Sequence, residues 1–165
     1  MCRQLGTVDN TARMNTARMN TARMNTAGMS STDASAPSTT ESVARAYMAS
    51  FASGDPDAVA AHVAADFVNE HTAALGSGCT GRDAYRERLP GFLSDMAGLV
   101  YDVEHVVVDG TTAAVFYTMT ARWQGGTPIR VRGAQRLVIE ADLIVHRVDY
   151  WDSKVFLDQL DAGTT

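Results

Sequence analysis

Between Leu99 and Trp151 four strand-like segments follow one another with only tight turns between them. Connections that short join antiparallel neighbours, because a parallel pair needs a crossover of a dozen residues or more. Asp109-Gly110 is a strong hairpin signal, Gly125-Gly126 marks a second turn, and Glu140–Asp142 a third. The strands so delimited are Leu99–Val108, Thr112–Trp123, Ile129–Ile139 and Leu143–Trp151. A chain with this second half is committed to an antiparallel meander.

The part before it reads as helical. Ser38 stands three residues before Glu41, the spacing of a capping box, and Val43, Tyr47, Met48 and Phe51 then share one helical face. Ser53-Gly54 stops that helix, and Asp55-Pro56 starts another over Ala58–Ala64, with Val59 and Val63 inward. A strand is expected around Phe67–His71. Gly81–Asp95 is a third helical segment, with Tyr85, Leu89, Phe92 and Leu93 as its buried positions. Pro90 in its middle removes an N–H, which predicts a kink or two short helices. Ser153–Leu160 closes with a short helix. Helices followed by a meander define an α+β fold with the helices packed on one sheet face.

The first 38 residues differ in kind. Thr11–Asn25 repeats TARMN three times, and a degraded copy, TAGMS, ends at Ser30. Five residues advance about 500° around a helix, so equivalent positions form no stripe and no apolar face exists to bury. The Ser/Thr/Ala stretch that follows completes a leader expected to be disordered. It is either without function, as a duplication upstream of an internal start at Met14, Met19, Met24 or Met29, or a targeting segment, since it is Arg-rich and acid-poor.

The remaining 127 residues carry ten Lys or Arg against seventeen Asp or Glu, a formal −7. That balance argues against nucleic-acid binding, which depends on phosphate neutralisation. No apolar run approaches the ~18 residues of a membrane span. Cys2 and Cys79 make no disulfide framework, so a reducing, cytoplasmic setting is expected. Cys79 is a bystander or a reactive thiol. His62, His105 and His146 lack ligand spacing with Cys or carboxylates, so no metal is indicated.

Three local motifs stand out: Ala46-Tyr47 with Ser53-Gly54-Asp55, Ala65-Asp66-Phe67, and Ile144 with Asp149-Tyr150-Trp151-Asp152. With the order of elements, they resemble the NTF2-like superfamily, and within it the SnoaL-like group. The resemblance covers about 40–160. It implies a cone in which a curved, mostly antiparallel sheet wraps three N-terminal helices and encloses a pocket. The domain would run 39–161, between the leader (1–38) and a tail (162–165). The superfamily holds ketosteroid isomerases, limonene-epoxide hydrolases and polyketide cyclases. Tyr47 matches the isomerase oxyanion-hole tyrosine, but the isomerase base falls on His71 and its protonated aspartate on Ala134. Trp151 matches a pocket-wall tryptophan. The epoxide hydrolases use Arg-x-Asp on the central strand, where this chain reads Val115-Phe116-Tyr117-Thr118-Met119. Their last-strand aspartate matches Asp149, and their water-positioning residues fall near Asn69 and His71. The cyclase resemblance also points to Asp149 as general base.

Residues two apart on a strand share a face, so Arg147, Asp149 and Trp151 look one way and His146, Val148 and Tyr150 the other. If the Glu140–Asp142 turn centres the hairpin, Arg136 lies beside Arg147, and Asp149 is diagonal to Arg136 and Arg132. The resemblance turns this face inward, with Tyr117, Met119 and Val115 across the floor. Asp149 then has two readings, a proton acceptor beside Trp151 or an ion-pair partner of Arg132 or Arg136. His71 reads as its partner or as a satisfied core histidine, and Tyr47 as a hydrogen-bond donor or a core aromatic. Arg132, Arg136 and Arg147 are positioned for an anionic ligand or for pairing with Asp149 or Asp152. The implied function is a cofactor-independent enzyme acting on an apolar, polyketide- or steroid-like molecule by isomerisation, cyclisation, dehydration or water addition. The alternative is a non-catalytic ligand-binding or dimerisation domain. Val148 and Tyr150, with His146, offer a face for a homodimer.

Overall fold

The computed structural model describes residues 38–163. The readings of the repeat leader before Ser38 and of the last two residues lie outside that range.

Helix α1 covers Thr39–Ser50 and runs into a 3₁₀ turn at Phe51–Ser53. Half of the expected capping box forms. The Ser38 hydroxyl accepts from the Glu41 N–H, while the Glu41 carboxylate turns to Arg45. Of the face that periodicity selects, Tyr47, Met48 and Phe51 are buried and Val43 is partly buried against the core, with Ala44 buried beside them. Helix α2 is a single turn and a half, Pro56–Ala60, capped by Asp55 through the Asp57 N–H. The chain is extended from Val63 onward, so the helix ends sooner than expected and strand β1 occupies Val63–His71.

Helix α3, Arg82–Asp95, runs as one helix through Pro90, so of the two expected outcomes, a kink or two short helices, the second is not met. Pro90 and Arg86 are both exposed, so the proline and the turn that loses its hydrogen bond stand on the solvent side of the helix. A two-residue strand β2, Cys79–Thr80, precedes it. The meander follows as β3 (Met96–Asp109), β4 (Thr112–Trp123), β5 (Thr127–Glu140) and β6 (Leu143–Trp151), and helix α4 (Ser153–Ala162) closes the domain. The six strands form one curved open sheet in the order β2-β1-β6-β5-β4-β3. All neighbours are antiparallel except β1 and β6.

The hairpin β5–β6 departs from the expected register. Its turn is centred as read, with Glu140 opposite Leu143 and Ile139 opposite Ile144, and Ala141 and Asp142 both at positive φ. Between Val138 and Ile139 the register then shifts, so that Val138 pairs with His146 and Val145 is the extra residue. A one-residue bulge moves every later partner to the other face. Gln135 therefore stands opposite Asp149, and Leu137 opposite Arg147, where Ala134 and Arg136 were expected.

Candidate functional site

β1 and β6 lie side by side and in parallel, so Asn69 and His71 pair with Arg147 and Asp149. Strand parity turns all four to the helical side. There a cavity of about 380 Å³ opens between the sheet and α3. Asn69, His71, Arg147, Asp149 and Trp151 form one end of it. Most of the remaining wall is apolar or aromatic, including Leu89, Phe92, Met96, Tyr101, Met119 and Phe156.

Asp149 is 4 % exposed, and each oxygen has a donor. The Tyr117 hydroxyl donates to Oδ1 at 2.7 Å and the Gln135 amide to Oδ2 at 3.2 Å. Gln135 is fully buried, and its Oε1 has no hydrogen-bond partner. Tyr117 reaches the carboxylate because Gly133 stands opposite it on β5, where a Cβ would lie 2.5 Å from the Tyr117 hydroxyl. Burial and the charge of Asp149 push the Tyr117 phenol far above its ordinary range, so it stays a donor.

Arg147 is held by four neutral groups. Its Nε donates to Asn69 Oδ1 at 2.9 Å, Nη1 to the hydroxyls of Tyr47 at 2.5 Å and Tyr85 at 3.4 Å, and Nη2 lies 3.3 Å from His71 Nε2. The two tyrosines share a hydrogen bond of 2.7 Å, and the guanidinium also sits over both rings. Burial works against its charge. The fields of Tyr47, Tyr85 and Asp149 outweigh that, so the group stays a cation.

His71 bridges the two charges. Its Nδ1 is 3.9 Å from Asp149 Oδ2 and receives the Trp151 indole N–H at 3.4 Å, while Nε2 faces Arg147 and, at 3.4 Å, the Asn69 amide. A neutral imidazole has one N–H and one acceptor nitrogen, so the ring accepts at Nδ1 or at Nε2 and not at both, and a second ring proton would meet an N–H donor. Burial and then the Arg147 charge push the His71 pKa down to about 4, so the ring is neutral at pH 7.

The residues expected at the site divide accordingly. Asp149, His71, Asn69, Arg147, Trp151, Tyr117 and Met119 line one cavity. Tyr47 does not line it; fully buried, it touches Arg147 from behind. Val115 is buried in the core and also lies outside the lining. Arg132 and Arg136 are on the opposite sheet face, a consequence of the bulge at Val145. Arg132 pairs with Glu104, and Arg136 lies 3.4 Å from His146. Neither pairs with Asp149. Sequence reasoning passed over Gln135, although Val131, Leu137 and Ile139 mark its face as the buried one. It also passed over Arg88 and Trp123, which line the cavity from α3 and the end of β4. Among the described residues no three His, Cys, Asp or Glu side chains gather as a metal site requires, and no helix is long and apolar enough to cross a membrane.

This layout, with short helices over a six-stranded sheet and a polar cluster on its inner face, is that of the NTF2-like fold. The SnoaL-like domain model matches residues 44–147, and the chain belongs to that family. No curated protein matches it in sequence. Solved structures agree on the fold. A protein of ketosteroid isomerase-like fold from Catenulispora acidiphila, in complex with trimethylamine, is 20% identical with a TM-score of 0.66, over 71% of this chain and 90% of that one. An LEH-like epoxide hydrolase of M. tuberculosis is 17% identical with a TM-score of 0.66, over 76% and 92%. TerC, co-crystallised with polyporic acid, is 17% identical with a TM-score of 0.66, over 75% and 99%.

Proposed function

We propose that the chain is a cofactor-independent enzyme that transfers a proton on an apolar small molecule, with Asp149 as the base. The observation that carries this reading is a single carboxylate, oriented by two neutral donors, at the polar end of an otherwise apolar cavity. Its Oδ2 takes a proton from the carbon beside a carbonyl, and the electron pair moves onto the carbonyl oxygen. The Arg147 charge stabilises that oxygen through its field as it becomes anionic, where both Arg147 and Asp149 are nearly inaccessible to solvent. Returning the proton to another carbon gives isomerisation, attack of the carbanion on a second carbonyl gives cyclisation, and loss of hydroxide gives dehydration. Removing a proton from water instead gives addition. His71, neutral and 3.9 Å away, is a polar partner that positions Asp149 and Arg147 without taking up the proton. Tyr47 and Asn69 are positioning residues that act through Arg147.

The test uses probes that fit the cavity: deuterium uptake at the α-carbon of 2-tetralone in D₂O, followed by NMR, and hydrolysis of styrene oxide. The wild-type chain should accelerate one of them. Asp149→Asn should slow that rate by about 10²-fold or more with thermal unfolding preserved. Absence of both activities, or a rate indifferent to Asp149→Asn, moves the chain to the non-catalytic, ligand-binding alternative.

We also propose that two chains pair through the outer sheet face. Phe116, Ala134 and Tyr150 are cross-strand neighbours there, and Phe116 and Tyr150 are 43% and 44% exposed. Val148 is already buried within the chain, so the pairing would rest on the two aromatics and on Val100 and Val107. Light scattering should give twice the chain mass, and Tyr150→Asp should return it to one.

A further inference from the structure

The chain carries a formal charge of −5, yet the charged side chains lining its cavity are Arg88 and Arg147 against the single carboxylate of Asp149. His71 adds no charge at neutral pH. The cavity is therefore cationic inside an acidic protein.

Arg147 sharpens the point. It is 5% exposed, and among the described residues no carboxylate oxygen lies within 4.0 Å of it. A guanidinium has five N–H donors. Asn69, Tyr47 and Tyr85 take three of them and a fourth faces His71, which leaves at least one for a further acceptor. A buried cation held only by neutral groups is costly, and an anion in contact lowers that cost. Asp149 is in the same cavity, but its oxygens lie beyond 4.0 Å from the guanidinium nitrogens, and their donors are Tyr117 and Gln135. Arg88 is exposed at the rim, where Nη1 donates to the Gly78 carbonyl at 2.5 Å and Nη2 to Ser77 Oγ. Gly76 and Ser77 of that loop line the same cavity.

We propose that the cavity binds an apolar carboxylic acid as its carboxylate, with Arg88 drawing the anion in at the rim and Arg147 receiving it at the polar end. The inference rests on the proposed function only in using the same cavity: the anion marks one end of the substrate, and the bond to be deprotonated lies elsewhere in it. A carboxylate accepts charge-assisted hydrogen bonds in two directions, which suits one guanidinium N–H inside and a second guanidinium at the rim. The apolar wall takes the rest of the molecule.

The two tryptophans of the chain, Trp123 and Trp151, both line the cavity, so intrinsic fluorescence reports on its occupant. Three probes share one compact apolar body and do not absorb with tryptophan: adamantane-1-carboxylate, adamantane-1-carboxamide and 1-adamantylmethylammonium. The carboxylate should bind about tenfold or more tightly than the carboxamide, with the ammonium weakest. Arg147→Gln should erase the preference. Arg88→Gln, which leaves the core untouched, should reduce it about threefold and weaken its dependence on salt, and it carries the test should Arg147→Gln not fold. Equal affinity for carboxylate and carboxamide overturns the proposal, as does no carboxylate binding by about 10 mM or a preference unchanged by Arg88→Gln. Asp149→Asn separates the two readings. It should tighten the carboxylate while stopping proton transfer, so a carboxylate preference in a chain whose proton-transfer rate Asp149→Asn leaves unchanged rejects the enzymatic reading and leaves this one standing.

Discussion

The two faces of the β5–β6 hairpin carry the same kinds of side chain and use them in opposite ways. On the outer face Arg132 meets Glu104 at 2.5 Å with its side chain 71% exposed, and Arg136, His146 and Glu70 form a row in which His146 Nε2 lies 2.8 Å from Glu70 Oε1. On the inner face Arg147 and Asp149 are nearly inaccessible, and the hydrogen bonds they make run to neutral groups. Outside, water and long mobile side chains leave an ion pair with little net effect. Inside, desolvation makes each charge depend on every group that touches it. The reaction and the ligand charge proposed above both depend on that second condition. Charge type says little here; the dielectric around it says most.

The largest expected effect breaks the comparison at its arginines. Arg147→Met removes the partner of Tyr47, Tyr85 and Asn69 together and should cost about 3–5 kcal/mol in urea unfolding. Arg132→Met should leave the unfolding midpoint where it was. Equal effects from the two would mean that burial does not separate the faces.

The next effect is a slope in pH. Unfolded histidine binds its proton near pH 6.5, whereas His71 in the folded chain binds one only near 4. Between those values the unfolded chain holds more protons, so stability falls as pH drops from about 6.5 to about 4 and levels off below. The loss is at most about 3 kcal/mol, and solvent reaching the ring reduces it. His71→Gln should flatten that window, as measured by unfolding at several pH values. A wild-type slope retained in the variant would assign it to other groups.

The smallest effect concerns the turn that positions both faces. Ala141 sits at φ 46°, a left-handed conformation that alanine adopts at a cost. Ala141→Asn should stabilise the chain by about 0.5–1 kcal/mol without altering the Asp149 environment. Destabilisation would show that the turn is held by contacts beyond its own backbone preference.

Much of this fold is legible locally. The bounds of β4 and β6 follow from the Asp-Gly, Gly-Gly and Glu140–Asp142 turns, and the shared face of Arg147, Asp149 and Trp151 follows from alternation alone. The bulge at Val145 is different. A valine in a strand carries no mark of being the unpaired residue, and its placement depends on which register buries Gln135 and Leu137 beneath the helices. Missing it puts Arg132 and Arg136 on the wrong face while leaving β6 correct. The single α3 is a similar case: whether Pro90 divides the helix depends on whether its turn stands on the solvent side, which only tertiary packing decides. The cavity was read as far as its floor. Arg88 and Trp123 enter it from elements whose approach no local pattern specifies.

The parallel pairing of β1 with β6 has a consequence for the history of each molecule. Arg147 lies 78 residues after Asn69, 76 after His71 and 100 after Tyr47. As the chain leaves the ribosome, the acceptors for that guanidinium are made long before it is, and loops of this span must close before any of the contacts form. A chain ending before Leu143 lacks both buried charges of the site, however well its first helices pack. The same strand that finishes the sheet brings both charges, so the site exists only in molecules that are complete and closed.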